Sequence, residues 1–130
     1  MNIFTLNRLL AADAVTSLAA GMLMVLAAAP LADWLNLPAP LLRGAGLLLL
    51  PWVVVLGLLA RQKLPSRNAI WAVVAINAMW AIDSLVLLVS GWVAPNTLGT
   101  VFILSQAGVV GAFAVLQALT LPEKPLHLHT

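Results

Sequence analysis

The sequence predicts an all-α fold: a transmembrane four-helix bundle built from two helical hairpins, with the N and C termini both cytoplasmic. Three observations carry this reading. First, 63% of the 130 residues are hydrophobic and 8% are charged, against about 45–50% and about 25% in soluble domains. Six Lys or Arg and four Asp or Glu cannot supply the polar surface that a soluble domain of this size needs. Second, prolines and charges cut the chain into four apolar blocks, each close to the about 20 residues that cross about 30 Å of hydrocarbon as a helix. Third, Lys and Arg gather on one side of the implied topology. Residues 1–130 therefore read as a single transmembrane domain, with helices at about 9–29, 41–60, 69–89 and 98–121.

The first block runs from Leu9 to Ala29 and stops at Pro30. It could be weighed as a secretory signal, with Arg8 as its basic region and Ala27-Ala28-Ala29 before a cleavage point. Pro30 at that point, Asp13 in the core and the block's length all argue against this. The second block runs from Leu41 to Ala60, opening after Pro40, where a first turn tolerates a missing N–H, and closing at Arg61-Gln62-Lys63. Pro51 lies in its middle, where it removes one backbone bond and crowds the preceding turn, so a kink is expected. The third block, Ala69 to Val89, is capped by Ser66 or Asn68. The fourth, Leu98 to Leu121, is closed by Pro122. Alternation at period 2, the mark of a membrane-spanning strand, is missing from all four.

Arg61, Lys63 and Arg67 crowd the second connection, and Arg8 sits at the amino end. The first connection carries only Asp33 and the third, Gly91 to Thr97, carries no charge. Both termini are thus expected inside, in the inner (plasma) membrane, with Trp34 and Trp92 anchoring the outer interface. The halves show a faint parallel repeat, Pro38 to Leu42-Arg43-Gly44 against Pro95 to Leu98-Gly99. Cysteine is absent, which removes thiolate and disulfide chemistry. The slight basic excess has no dense cluster, so no nucleic-acid partner is expected.

The informative residues are polar ones inside the blocks, each expensive in hydrocarbon unless partnered. At about 1.5 Å per residue, Asp83, Gln106 and Arg43 lie about 5, 6 and 11 Å outward of their block centres. They suggest an outer layer in which Arg43 pairs with Asp83 and Gln106 assists. Asp13 and Gln117 lie about 9 and 10 Å inward on the same ruler, with Asn77 nearer the centre, and form an inner polar layer. Arg43, Asn77, Asp83 and Gln106 are the candidate ligand-binding residues. Asp13 is near enough to the cytoplasmic side to be wetted or to meet Arg8. Gly44, Gly46 and Gly57, with Ala107, Gly108, Gly111, Ala112, Ala114 and Ala118, offer close helix contacts.

His127 and His129 lack a third ligand and read as part of a free tail, so no metal and no cofactor are expected. Asn77-Ala78-Met79-Trp80, Ser84, Gly91-Trp92, Pro95, Leu98-Gly99, Phe102, Ser105-Gln106-Ala107 and Leu116-Gln117 together resemble the second half of small uncharacterised bacterial four-helix integral membrane proteins. That resemblance implies class and location, and no activity. Size and the acidic residue in the first block are also similar to small multidrug exporters, by analogy only, because their glutamate sits deeper in that helix.

Two functions follow. One is a non-enzymatic bundle that binds or assists a membrane protein partner, or a second copy of itself. The alternative is a small transporter or ligand-binding bundle using midplane polar residues. They differ in whether the polar layers converge on a void or are packed shut. An enzyme is not expected, since no Ser/His, Cys/His or paired-carboxylate arrangement is present.

Overall fold

A computed structural model describes residues 3–63 and 65–121, with side chains from Thr5 onward. Pro122 and the two histidines of the tail lie outside the described residues. The described chain is helical without strands: α1 (Ile3–Leu26), α2 (Ala28–Leu35), α3 (Ala39–Arg61), α4 (Arg67–Ser90) and α5 (Thr97–Thr120). Four of them, over Thr5–Leu26, Ala39–Arg61, Arg67–Ser90 and Thr97–Thr120, are long and apolar enough to cross a membrane. The chain is a helical bundle of the multi-pass membrane class.

The first block departs from expectation. It begins at Ile3, turns at Ala27 (φ −112°, ψ 27°), and resumes as α2. Pro30 does not end the helix; it sits in the first turn of the next one, where its missing N–H is tolerated. The signal for α2 was present as Ala28, Leu31 and Leu35, which share a helical face and are buried. Asn36 closes α2 in the left-handed region (φ 55°), a conformation that asparagine accepts more readily than most residues.

α3 runs unbroken through Pro51, whose ring is exposed. Of the two expected caps for α4, Ser66 serves, its hydroxyl accepting from the Ala69 N–H at 3.4 Å. The start of α5 is set by Asn96, whose Oδ1 accepts from the Gly99 N–H at 2.8 Å.

α1 packs along α3 and α4 along α5, and the two hairpins meet chiefly through α1 and α5. α1 and α3 approach most closely at a pair of glycines. A Cβ on Gly46 would lie 2.9 Å from the Gly21 carbonyl oxygen and 2.8 Å from Val25, and one on Gly21 would lie 3.3 Å from the Gly46 oxygen. Of the glycines expected to mediate contacts, Gly44, Gly57 and Gly108 have open space beside them instead.

Each end is stapled. At the tryptophan end, Asn96 gives its backbone N–H to the Leu35 carbonyl (3.2 Å) and its side-chain amide to the Trp34 carbonyl (2.8 Å). Asn36 donates in turn to the Ala94 carbonyl. These bonds satisfy carbonyls at the end of α2 that the helix leaves unpaired. Gly99 makes this approach possible, because a Cβ there would fall 2.2 Å from the Leu35 oxygen. At the other end, Asn7 donates to the carbonyl of Gln62, which follows α3, at 3.1 Å.

The core has two apolar parts. Leu6, Leu10, Ala14, Leu56, Ile70, Val73 and Leu121 close the end that carries Arg61 and Lys63. Met24, Ala28, Leu31, Leu35, Leu42, Leu49 and Ile103 fill the tryptophan end. There α3 and α4 do not pack on each other, and the gap between them is a cavity of about 490 Å³ lined by both.

Candidate functional site

The expected inner layer exists and is buried, with Asp13 bordering the space between α1 and α5 and Asn77 that between α3 and α4. Asp13 on α1, Asn77 on α4 and Gln117 on α5 are at most 2% exposed. Asp13 Oδ2 accepts from Asn77 Nδ2 and from Gln117 Nε2, both at 2.8 Å, and Asn77 Nδ2 also donates to Gln117 Oε1 at 3.0 Å. The other carboxylate oxygen takes the Ser17 hydroxyl at 3.3 Å. Three helices are thus joined by a closed triangle of amide and carboxylate groups, including α1 and α4, which scarcely touch through their backbones. Asp13 is buried nearer the middle of the bundle than expected, and its hydrogen-bond partners include Asn77, Gln117 and Ser17. The reason is register: α1 begins six residues earlier than expected, so Asp13 stands about 2 Å from that helix's middle.

The expected outer layer does not form as read. Arg43 and Asp83 are both exposed, and among the described residues neither has an ion-pair or hydrogen-bond partner. Helical geometry explains this. The positions of α3 that face the α4 gap include Leu41, Ala45 and Leu48, and Arg43 projects roughly half a turn away from them at about 100° per residue. Arg43 and Asp83 therefore do not form the expected pair.

Gln106 joins different residues. Its Oε1 accepts from Trp80 Nε1 at 2.7 Å, and its Nε2 donates to the Ser84 hydroxyl at 2.8 Å and to the Ile103 carbonyl at 3.1 Å. Ser84 passes its own hydrogen to the Trp80 carbonyl at 2.8 Å. Trp80 and Ser84, four residues apart on α4, were not among the expected partners of Gln106. The signal was their shared face and their closeness in height to Gln106.

This second cluster is half-buried and borders space. Trp80, Ser84 and Gln106 line the 490 Å³ cavity with Asp83, Leu87 and Phe102. Trp80 and Gln106 also line a second cavity of about 550 Å³ between α1 and α5. Both volumes fall in the range of small-molecule sites, and their walls are mainly apolar with few polar groups, as such sites usually are. A smaller space of about 250 Å³ continues between α3 and α4 past Trp52 and Asn77. Pro51 lines none of the three, so the access route expected past it is not seen.

Among the described residues no three His, Cys, Asp or Glu gather as metal ligands. Arg8 stands near the start of α1 and Arg61, Lys63 and Arg67 at the junction of α3 and α4, and the Asn7 to Gln62 bond puts these groups at one end. Trp34 and Trp92, both largely exposed, occupy the opposite end. No protein-family model, no curated protein and no solved structure matches the chain, so the site is read from its own chemistry.

Proposed function

We propose that this multi-pass protein is a non-enzymatic bundle of the inner (plasma) membrane that admits a small lipophilic molecule from the bilayer between α3 and α4. One observation carries the reading: the inner-layer groups are at most 2% exposed and bonded to one another, whereas the half-buried Trp80, Ser84 and Gln106 cluster borders a cavity open at the α3/α4 gap. A bundle needing polar residues only to fix its packing has no use for the second arrangement. In this reading the basic end faces the cytoplasm and the tryptophan end faces outward. Reporter fusions placing the Arg61 to Arg67 connection outside would reverse the sides. The test of occupancy is quenching of tryptophan fluorescence by 1-bromododecane in nanodiscs. Saturable quenching that is lost when Gly44→Leu fills the cavity supports the proposal. Quenching that only follows lipid partitioning, identical in both proteins, contradicts it.

A membrane partner is the second reading. Arg43 and Asp83 lie unpaired on exposed helix faces, and Gly44, Gly57 and Gly108 leave room for another helix. Co-purification from native membrane, with loss of the partner in Arg43→Leu, would favour it.

A further inference from the structure

We infer that the molecule taken between α3 and α4 is a lipophilic ammonium ion, with Asp83 as its counter-charge; this rests on the ligand-binding reading above. The argument is an inventory of donors and acceptors. In the polar cluster of the 490 Å³ cavity, the Trp80 indole N–H, the Ser84 hydroxyl and the Gln106 amide all donate within the protein. An anion or a ligand rich in acceptors finds no free donor among these side chains. The Asp83 carboxylate, which offers only acceptors when ionised, lines the same cavity and has no partner among the described residues.

The wall beside it is apolar and aromatic, including Trp80, Phe102 and Leu87. An aromatic face attracts a cation, most strongly when water is excluded. Depth adds to the case. Asp83 is about 7 Å from the middle of α4, below the headgroups that begin near the edge of the about 30 Å hydrocarbon layer. A diacyl lipid keeps its headgroup at that edge, so the ammonium is carried by a smaller molecule dissolved in the bilayer.

The experiment compares two probes in nanodiscs, dodecyltrimethylammonium and its uncharged isostere with carbon in place of nitrogen, by displacement of 1-bromododecane. The expected result is about tenfold tighter binding of the ammonium, equivalent to about 1.4 kcal/mol. Asp83→Asn should remove that preference and leave binding of the isostere unchanged, because the replaced group is exposed and holds nothing in the fold. Equal affinities in the native protein, or a preference that survives in Asp83→Asn, would overturn the inference while the cavity reading stands. Binding of neither probe would overturn both.

Discussion

The inner and the outer polar layers of this bundle use the same kinds of residue differently. At Asp13, Asn77 and Gln117, donors and carboxylate oxygens close on one another across three helices. At Trp80, Ser84 and Gln106 the hydrogen bonds join only α4 and α5, and α3 stands off across a cavity. The difference lies in which helices are bridged. A polar group on α1 reaches across the bundle to α4 in the first case, whereas nothing on α3 reaches toward α4 in the second, where Arg43 points away. Small residues repeat the contrast within one helix, since Gly46 is pressed against α1 and Gly44, two residues earlier, meets nothing.

That glycine pair gives the largest expected effect. Gly46→Leu places atoms where the Gly21 carbonyl and Val25 already lie, and should cost about 3 kcal/mol or prevent folding. Gly44→Leu should leave thermal stability in detergent within about 0.5 kcal/mol of the native protein. Equal losses would mean that α3 is packed alike on both faces. Next, Asp13→Leu leaves the Gln117 amide and one Asn77 bond without their acceptor. The expected loss is about 2 kcal/mol, since hydrogen bonds between membrane helices are individually modest but an orphaned buried group is not. Gln106→Leu strands the half-buried Trp80 N–H at the cavity and should cost about 1 kcal/mol. A larger loss than that of Asp13→Leu would reverse the ranking of the two layers.

The smallest effect is expected at Arg43 and Asp83. Each changed to Leu should alter stability by less than about 0.5 kcal/mol, and the two changes should add. Coupling between them in a thermal-unfolding cycle would restore the ion pair that the structure does not contain.

The four spans were legible because composition and proline spacing act over 20-residue windows, where errors of a few residues do not matter. The inner layer was also legible, since Asp13, Asn77 and Gln117 are too expensive in hydrocarbon to stand apart. What failed was rotation. Depth along a helix follows from counting residues, but whether Arg43 and Asp83 face each other depends on how α3 and α4 are turned, and for α3 the close contact of its Gly46 with Gly21 of α1 constrains that turn. Gly21 forms a small-x-x-x-small pair with Ser17 beside Ala19 and Ala20, but it is not among the expected contact residues. The close approach at Gly99 was hidden, because the atom it meets is a backbone oxygen of a helix that Pro30 seemed to forbid.

The most direct measurement of the central claim is a double-mutant cycle between Asp13 and Gln117, read by reversible unfolding in detergent. If these side chains form one connected network, each change to Leu should be costly, and the double change should cost less than their sum by about 1 kcal/mol or more. Losses that add to within about 0.3 kcal/mol would show two independent polar residues and contradict the account of the inner layer.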